Sequence, residues 1–516
     1  MRIYTWIMFI AVLPLVMAKS DYKQLTQIVH KLGIDLKNKL AVITPGPNFE
    51  CLIQDSDMWV DKSKFIEYIW EKNDTNIFVI TAPKPWWKTI TLSMFGYYSD
   101  SHIWPDEDED GNPVARSSLP NYRYFTRGEV VHIDGKIEHV DKLPLIHDYK
   151  GNDEHLAMHP VIYMNGAFMD YNKPFESLHY LVQSTYRKLH ELRVSLQILC
   201  EHGSGEEQGD ACFNFEKFEN ISESSTLSKT DLLHSINQLS QIFFETYKKK
   251  VVILFDDHGF FVTTAFFQDE KYDPVLMKDF ERNFLSDFMR ITFEDNEYLA
   301  KAIITSRLHT EESIGLSKMN NTELIYIFGT NNAFPFHYVL EHEFEELCAL
   351  RGINETVKKE AQMEYGGYYG LQHSDVQVYS PYSISGFINR LEIKNYWGSS
   401  NLINKVRKLF EQVQFQREMA PLLENFNDDA GVYADYGTLN TLRTSDYEMI
   451  RDLIYNDDIN VYDKEKHGPI VFSLLLSMGL LSIHPVQEIP SRIHDLVKIK
   501  LRIPNGDIKR LLRYRR

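Results

Sequence analysis

The stretch 77–95 limits the possible folds of this chain more than any other part of the sequence. It begins with the strand-forming run Ile77–Thr81, continues through a turn that holds Pro83 and Pro85, and opens an apolar, helix-like segment at Lys88. A strand that leads through a loop into a helix leaves bare backbone N–H groups at the helix N-terminus, where anions bind. The stretch therefore predicts either an anion-binding loop or a proline-rich turn before a core helix.

The loop in this stretch can be compared with the phosphate-binding motif G-x-x-x-x-G-K-[ST]. Lys88 and Thr89 stand at the last two positions, which supply an ammonium group for the terminal phosphates and a hydroxyl group for Mg²⁺. The two glycine positions hold Ala82 and Trp87, and Pro85 removes a backbone N–H donor. Since the glycines allow the backbone to approach phosphate oxygens, we expect weak or absent ATP hydrolysis at this loop.

A second stretch, V-V-I-L-F-D-D-H at 251–258, has the pattern of a buried parallel strand that ends in two carboxylates. In P-loop enzymes an Asp at the end of such a strand holds Mg²⁺ or its water, and the next acid orients the attacking water. Asp256 would take the first role and Asp257 the second, although Asp is one methylene shorter than the commoner Glu. Asp256 can still bind nucleotide and Mg²⁺ with Lys88 and Thr89 if hydrolysis is lost. The alternative is that the two acids only cap a following turn.

Short blocks along the chain, in a single order, resemble the AAA-ATPase-like domain family, whose bacterial members are often joined to a PD-(D/E)XK nuclease-like segment. The resemblance covers nearly the whole chain after residue 18. It implies a P-loop NTPase fold with a parallel sheet between helices, and ATP and Mg²⁺ as cofactors if the nucleotide site functions. The blocks are Val60 to Ile66, Ala82 to Thr89, His159-Pro160-Val161-Ile162-Tyr163, Asp256-Asp257-His258-Gly259, Tyr365-Gly366-Gly367-Tyr368, residues 378–383, Asn395-Tyr396-Trp397 and Arg502-Ile503-Pro504-Asn505.

The sequence departs from this family at the nucleotide site. The family's Gly before the Lys is Trp87, two arginines of its loop are Ala82 and Pro85, and its catalytic-type Glu is Asp257. The nuclease-like segment is also expected to be missing, because the sequence stops soon after Asn505. We therefore expect a secreted pseudo-ATPase that works by binding an unknown protein partner. The alternative is an active extracellular Mg-dependent ATPase or nucleotidase.

Strand and helix patterns alternate over the first part of the chain, which predicts an α/β fold with a parallel sheet and helices on both faces. We assign residues 19–335 to a P-loop domain with a loop-rich insertion at about 99–147. Helical patterns dominate from 336 to 516, and Phe334-Pro335-Phe336 interrupts the pattern at the boundary. The second part is therefore expected to be a mainly helical C-terminal domain.

Composition and the N-terminal residues limit the partners and the location. The formal net charge of −18 over 516 residues repels nucleic-acid phosphates, so we expect no nucleic-acid partner. Residues 1–18 hold one Arg and an apolar stretch and end in V-M-A, which is the pattern of a secretory signal peptide. This apolar stretch is short and contains Pro14, and no later segment is predicted to span a membrane. We therefore expect an extracellular protein.

Export would allow the four cysteines to pair. Cys200 and Cys212 flank an acidic, Gly-containing stretch that is predicted to be a flexible loop, so their bridge is preferred, with Cys51 and Cys348 as the remaining pair. The sequence itself permits about three connectivities. Export also permits N-glycosylation at the sequons headed by Asn73, Asn220, Asn320 and Asn354.

Overall fold

The computed structural model describes much of the chain after residue 48. The described residues are 49–55, 59–83, 86–101, 115–132, 135–170, 172–259, 279–308, 319–326, 328, 333–371, 373, 375–397, 401–424, 431–435, 442–485 and 498–513. The predictions for the signal peptide at 1–18, for Pro85 and for residues 102–114 of the insertion lie outside this part of the chain.

The first part of the chain supplies all five strands of the main sheet. Its elements are α1 (Phe49–Asp55), α2 (Lys64–Trp70), β1 (Ile77–Thr81), α3 (Lys88–Ser99), α4 (Pro120–Arg127), β2 (Glu129–Val131), β3 (Ile137–His139), α5 (Asn152–His155), β4 (Val161–Asn165), α6 (Pro174–Lys188), α7 (His190–His202), α8 (Gly205–Glu223), α9 (Lys229–Tyr247), β5 (Val251–Asp256), α10 (Ser286–Met289), β6 (Leu299–Ser306) and β7 (Thr322–Tyr326).

The remaining elements are mostly helices with short strands between them. They are β8 (Val339–Leu340), α11 (Glu341–Leu350), α12 (Glu355–Tyr365), β9 (Val378–Tyr379), α13 (Pro381–Arg390), α14 (Asn401–Val406), α15 (Val413–Glu424), β10 (Val432–Asp435), α16 (Thr444–Tyr455), α17 (Lys464–Ser477), β11 (Ser482–Ile483), β12 (Lys498–Arg502) and α18 (Gly506–Arg513).

A five-stranded parallel sheet with the order β4-β5-β6-β1-β7 forms the centre of the fold. On one side, β1 pairs in register with residues 302–306 of β6, and on the other it pairs with residues 322–326 of β7. Every residue of β1 and of β5 is buried, as expected for strands covered on both faces. The predicted α/β class, with helices on both faces of a parallel sheet, is confirmed.

The two faces of the sheet are covered by different helices. Ile77 and Val79 of β1 join a core cluster that also contains residues of α6, α8 and α9, while Phe78 and Ile80 join a second cluster with residues of α2 and α3. The helix that follows β1 therefore lies on the opposite face from the helices that link β4 to β5. In open α/β sheets of this kind, ligands bind beyond the carboxyl ends of the strands.

Both core clusters include residues from each side of position 335. Phe344, Tyr379 and Phe387 pack in the cluster that contains Phe78, and residues of α17 and β12 pack in the other. The small antiparallel sheet β10-β12-β11 belongs to the later part of the chain. The predicted boundary between 335 and 336 stays a prediction.

The preferred disulfide prediction is confirmed, because Cys200 and Cys212 are bonded. The stretch between them is helical over most of its length rather than a flexible loop, since α8 begins at Gly205. The predicted Cys51–Cys348 bridge does not form in the structure, where both residues are buried thiols on α1 and α11. Burial raises the pKa of Cys348 to about 12, which suppresses the thiolate that disulfide formation requires.

Two surface predictions concern glycosylation and membranes. The side chains of all four sequon asparagines are exposed, so each is accessible, and their glycosylation stays a prediction. Over the part of the chain that the structure describes, no helix has both the length and the apolar character needed to cross a bilayer.

Candidate functional site

The side chain of Lys88 is bound by the carbonyl groups of the loop between β1 and α3. Lys88 is the first residue of α3, and its Nζ donates hydrogen bonds to the carbonyl oxygens of Ala82 and Pro83, both at 2.8 Å. The side chain is only 7% exposed. The backbone N–H of Lys88 donates to the carbonyl oxygen of Trp86, so this donor is also used within the loop. The ammonium and backbone groups that the motif directs at phosphate therefore interact with loop carbonyls.

Asp256, at the end of β5, accepts hydrogen bonds from three hydroxyl groups on three elements. Thr89 of α3 donates through Oγ1 to Oδ2 at 2.8 Å, and Tyr163 of β4 donates to the same oxygen at 3.2 Å. Thr305 of β6 donates through Oγ1 to Oδ1 at 2.6 Å. Since Asp256 is 3% exposed, these contacts compensate for its removal from water and hold the carboxylate beside the first turn of α3.

The carboxylate of Asp257 is held by an arginine. Arg307, which follows β6, donates through Nε to Oδ1 at 3.0 Å and through Nη2 to Oδ2. The Asp257 backbone has a φ of 53°, a left-handed conformation that is unusual for a residue other than glycine. Its N–H donates to Thr305 Oγ1 at 2.8 Å, which helps to stabilise that conformation. Asp257, which directly follows β5, therefore lies beside the carboxyl end of β6, and Arg307 donates to both of its carboxylate oxygens.

The two tryptophans of the loop pack on different sides of it. Trp86 is 1% exposed and belongs to the core cluster of α6, α8 and α9. Trp87 is half-buried, packs against the cluster of α2 and α3, and lines a small cleft together with Trp59 and Ile90. The ring that stands at the second glycine position of the motif thus anchors the loop to the core beside α3.

A second lysine lies close to the loop from the side of the N-terminal block. Lys62 forms a buried salt bridge with Glu343 at 2.6 Å, and its Nζ also donates to the carbonyl oxygen of Pro335 at 3.0 Å. Burial, together with the nearby charges of Lys62 and Lys88, lowers the pKa of His337 to about 3. The imidazole is therefore neutral at physiological pH.

The structure brings Lys88, Thr89, Asp256 and Asp257 to one edge of the sheet, and their roles in nucleotide and Mg²⁺ binding stay predictions. It adds three residues that the sequence analysis missed, Tyr163, Thr305 and Arg307. Thr305 and Arg307 had a recognisable pattern, because polar residues follow the buried run of β6 at its carboxyl end. Tyr163 had no such pattern, since it stands within an apolar strand.

The residues present fit Mg²⁺ better than they fit a polyphosphate. The Thr89 hydroxyl and the Asp256 carboxylate are hard oxygen donors, and Mg²⁺ is commonly held by one or two carboxylates together with phosphates and water. No group of three or more His, Cys, Asp or Glu residues suited to a metal ion occurs among the described residues. A polyphosphate would have to displace the contacts that Lys88 makes within the loop.

No protein-family model matches this chain, and no curated protein matches it. The resemblance to the AAA-ATPase-like family therefore stays a prediction. The function of this chain is therefore inferred from the side chains gathered at the carboxyl ends of β1, β5 and β6.

Proposed function

We propose that this chain is a P-loop NTPase-like protein of the AAA-ATPase-like type whose nucleotide site is degraded, and that it acts by binding another protein. The observation that supports the P-loop assignment is the hydrogen bond of 2.8 Å between Thr89 Oγ1 and Asp256 Oδ2. It joins the first turn of the helix after β1 to the end of β5. These are the two places that hold Mg²⁺ in P-loop proteins.

The contacts of Lys88 support weak nucleotide binding. To reach a phosphate, its ammonium must give up two hydrogen bonds to loop carbonyls. Hydrogen bonds to a charged group contribute about 1.5–3 kcal/mol each. Since every 1.4 kcal/mol or so is a factor of ten, losing both would weaken phosphate binding by about a hundredfold or more, before any gain from new contacts.

The pairing of Asp257 with Arg307 supports slow hydrolysis. A carboxylate that orients an attacking water needs one oxygen directed at that water. Both oxygens of Asp257 accept hydrogen bonds from Arg307, and the side chain is shorter than Glu. We therefore propose that hydrolysis is absent or far slower than in ordinary ATPases.

We also propose that the protein is secreted and glycosylated. The Cys200–Cys212 bond supports export, because disulfides persist in oxidising compartments. The exposure of the four sequon asparagines is compatible with glycan attachment.

The second candidate is an active extracellular Mg-dependent ATPase. It is favoured by the convergence of Lys88, Thr89, Asp256 and Asp257 on one edge of the sheet, with Asp256 held in place by three hydroxyl groups.

Calorimetric titration and a turnover assay with Mg-ATP test both candidates. We expect weak binding by the natural protein, weaker binding by Lys88→Ala and Asp256→Asn, and no change in the exposed control Lys173→Ala. We expect turnover at background level in all four proteins. Turnover of about 1 s⁻¹ or faster, lost in the Lys88 and Asp256 variants but kept in the control, would establish the ATPase instead.

A further inference from the structure

Four aromatic side chains enclose the Trp86 ring. The ring centroids of Tyr368 and Trp397 lie 5.1 and 5.5 Å from that of Trp86, and those of Tyr338 and Phe328 lie at 6.0 and 6.2 Å. All four contacts are edge-on, a favoured geometry for aromatic pairs. We name Phe328, Tyr338, Tyr368 and Trp397 the aromatic clamp.

The turn after α17 also packs closely against Trp86 and Trp397. Gly479 has a φ of +70°, and a Cβ built there would lie 2.8 Å from Trp397, 3.0 Å from Pro83 and 3.2 Å from Trp86. The Tyr368 hydroxyl donates to the carbonyl oxygen of Gly479 at 3.1 Å. Only glycine therefore allows the turn to approach the loop this closely.

All of these contacts come from parts of the chain after β7. Trp86 is thus the point at which the later part of the protein holds the β1–α3 loop. Among the described residues, the indole N–H groups of Trp86 and Trp397 have no hydrogen-bond partner. The loop is consequently held by ring contacts and apolar burial, which can be released without breaking a polar network at the Trp86 ring.

We propose that the aromatic clamp regulates access to the candidate site. The clamp holds the loop in the conformation in which Lys88 faces the carbonyl groups of Ala82 and Pro83, and phosphate reaches Lys88 only when Trp86 leaves the clamp. This inference rests on the proposed nucleotide site. It implies that anything that draws Trp397 or the turn at Gly479 away favours the open loop and strengthens Mg-nucleotide binding.

The effect of loop opening on Mg-ATP affinity can be calculated from the population of the open loop. If only a fraction of molecules has the open loop, the apparent dissociation constant is the intrinsic one divided by that fraction. A change that makes the open form ten times more populated tightens Mg-ATP binding about tenfold, as long as the open form remains the minor one.

The test compares two aromatic residues of the later part of the chain, the half-buried Trp397 and the fully buried Phe415. Trp397→Leu removes one ring of the clamp. Phe415→Leu is the matched control, because Phe415 is fully buried but its ring neighbours are Phe410, Tyr462 and Phe472 rather than Trp86. Tyr368→Phe, which removes only the hydroxyl bonded to Gly479, replaces the first variant if that one does not fold.

Two readouts are taken on each folded protein. Hydrogen exchange is followed over residues 86–91, which include the amide of Trp86 bonded to Pro83 and that of Thr91 bonded to Trp87. Mg-ATP binding is measured by calorimetry. We expect exchange in Trp397→Leu at least tenfold faster than in the control, with Mg-ATP binding several-fold to tenfold tighter.

Three results would each refute a different part of the proposal. Equal exchange in Trp397→Leu and Phe415→Leu would refute the clamp, whatever the nucleotide does. Faster exchange with unchanged Mg-ATP affinity would refute the proposal that the clamp controls the access of phosphate to Lys88, and would leave the proposed nucleotide site intact. Faster exchange with no Mg-ATP binding in any protein would refute the proposed nucleotide site and the control of phosphate access with it, while the clamp itself would stand.

Discussion

The carboxyl group of Asp507, near the start of α18, should make the stability of this protein fall as the pH rises. Asp507 is 1% exposed, and Ser383 Oγ donates a long hydrogen bond of 3.3 Å to its Oδ2. Burial, the largest cause, and the nearby charge of Glu364 raise the pKa of Asp507 to about 7, while a hydrogen bond with the Tyr396 backbone, the charge of Arg510 and the Ser383 hydroxyl act in the opposite direction. The group is therefore largely protonated in the folded protein below neutral pH.

The sign and the size follow from proton linkage. Between the ordinary pKa of 3.8 and about 7, the folded state binds the proton and the unfolded state does not. The free energy of unfolding therefore decreases with pH over this window, and the stabilisation present at acid pH is lost as the pH rises through about 7. Each pKa unit corresponds to about 1.4 kcal/mol, so the loss between pH 5 and pH 8 is about 3 kcal/mol.

The substitution Asp507→Asn tests whether the Asp507 carboxyl group causes this loss of stability, because the amide has nearly the same size and cannot ionise. We expect the free energy of unfolding of the variant, relative to the natural protein, to increase by about 3 kcal/mol from pH 5 to pH 8. Urea denaturation at each pH measures the difference, and the contributions of buried histidines cancel in it. Exposed Asp375→Asn serves as the control, for which the difference should stay flat. A flat difference for Asp507→Asn as well, or one that falls with pH, would refute the reasoning.

Three further changes probe the candidate site and the disulfide. Arg307→Gln leaves the carboxylate of Asp257 largely buried without its partner, so thermal denaturation should show a loss of about 3 kcal/mol, much of it recovered when Asp257→Asn is added. Trp87→Gly restores a glycine of the phosphate-binding motif, and calorimetry should show tighter Mg-ATP binding; unchanged or weaker binding would contradict the role given to that ring. Replacing Cys200 and Cys212 by Ser opens a loop of sequence separation 12, which should lower the free energy of unfolding by about 3 kcal/mol in urea titrations. A reductant should then affect the stability of the natural protein but not of this variant.

The two strands that carry the site were predictable because their patterns are local. Ile77–Thr81 is β1 within the predicted bounds, and the apolar run from Val251 is β5. Their neighbour relation was not predictable, since β6 lies between them in the sheet. That arrangement depends on pairing between distant segments, and it is the reason why Thr305 and Arg307 contact the acids of β5.

The helix around Cys212 shows how tertiary packing overrides local composition. The acidic, Gly-containing stretch after Cys200 predicts a loop, because glycine and clustered charges disfavour a helix. In the structure, Ala211, Phe218 and Ile221 of α8 are buried, and α8 packs against α7 and α6. Helices in proteins gain most of their stability from such packing rather than from intrinsic propensity.

The position of Trp86 explains why the loop combines a phosphate-binding layout with a closed conformation. Burying a Trp side chain contributes up to about 4–6 kcal/mol, at about 25 cal/mol/Å² over roughly 150–250 Å². The unsatisfied indole N–H offsets about 1–3 kcal/mol of this, so a net stabilisation of a few kcal/mol remains.

A phosphate-binding loop made of glycines contributes no comparable burial, and it is free to arrange its N–H groups around a ligand. In this protein Ala82 and Trp86 of the loop are part of the hydrophobic core. A change of Trp86 to glycine would free the loop and would also remove that contribution to stability. The closed state of Lys88 is therefore a consequence of core packing, which a substitution of Trp86 cannot undo without destabilising the fold.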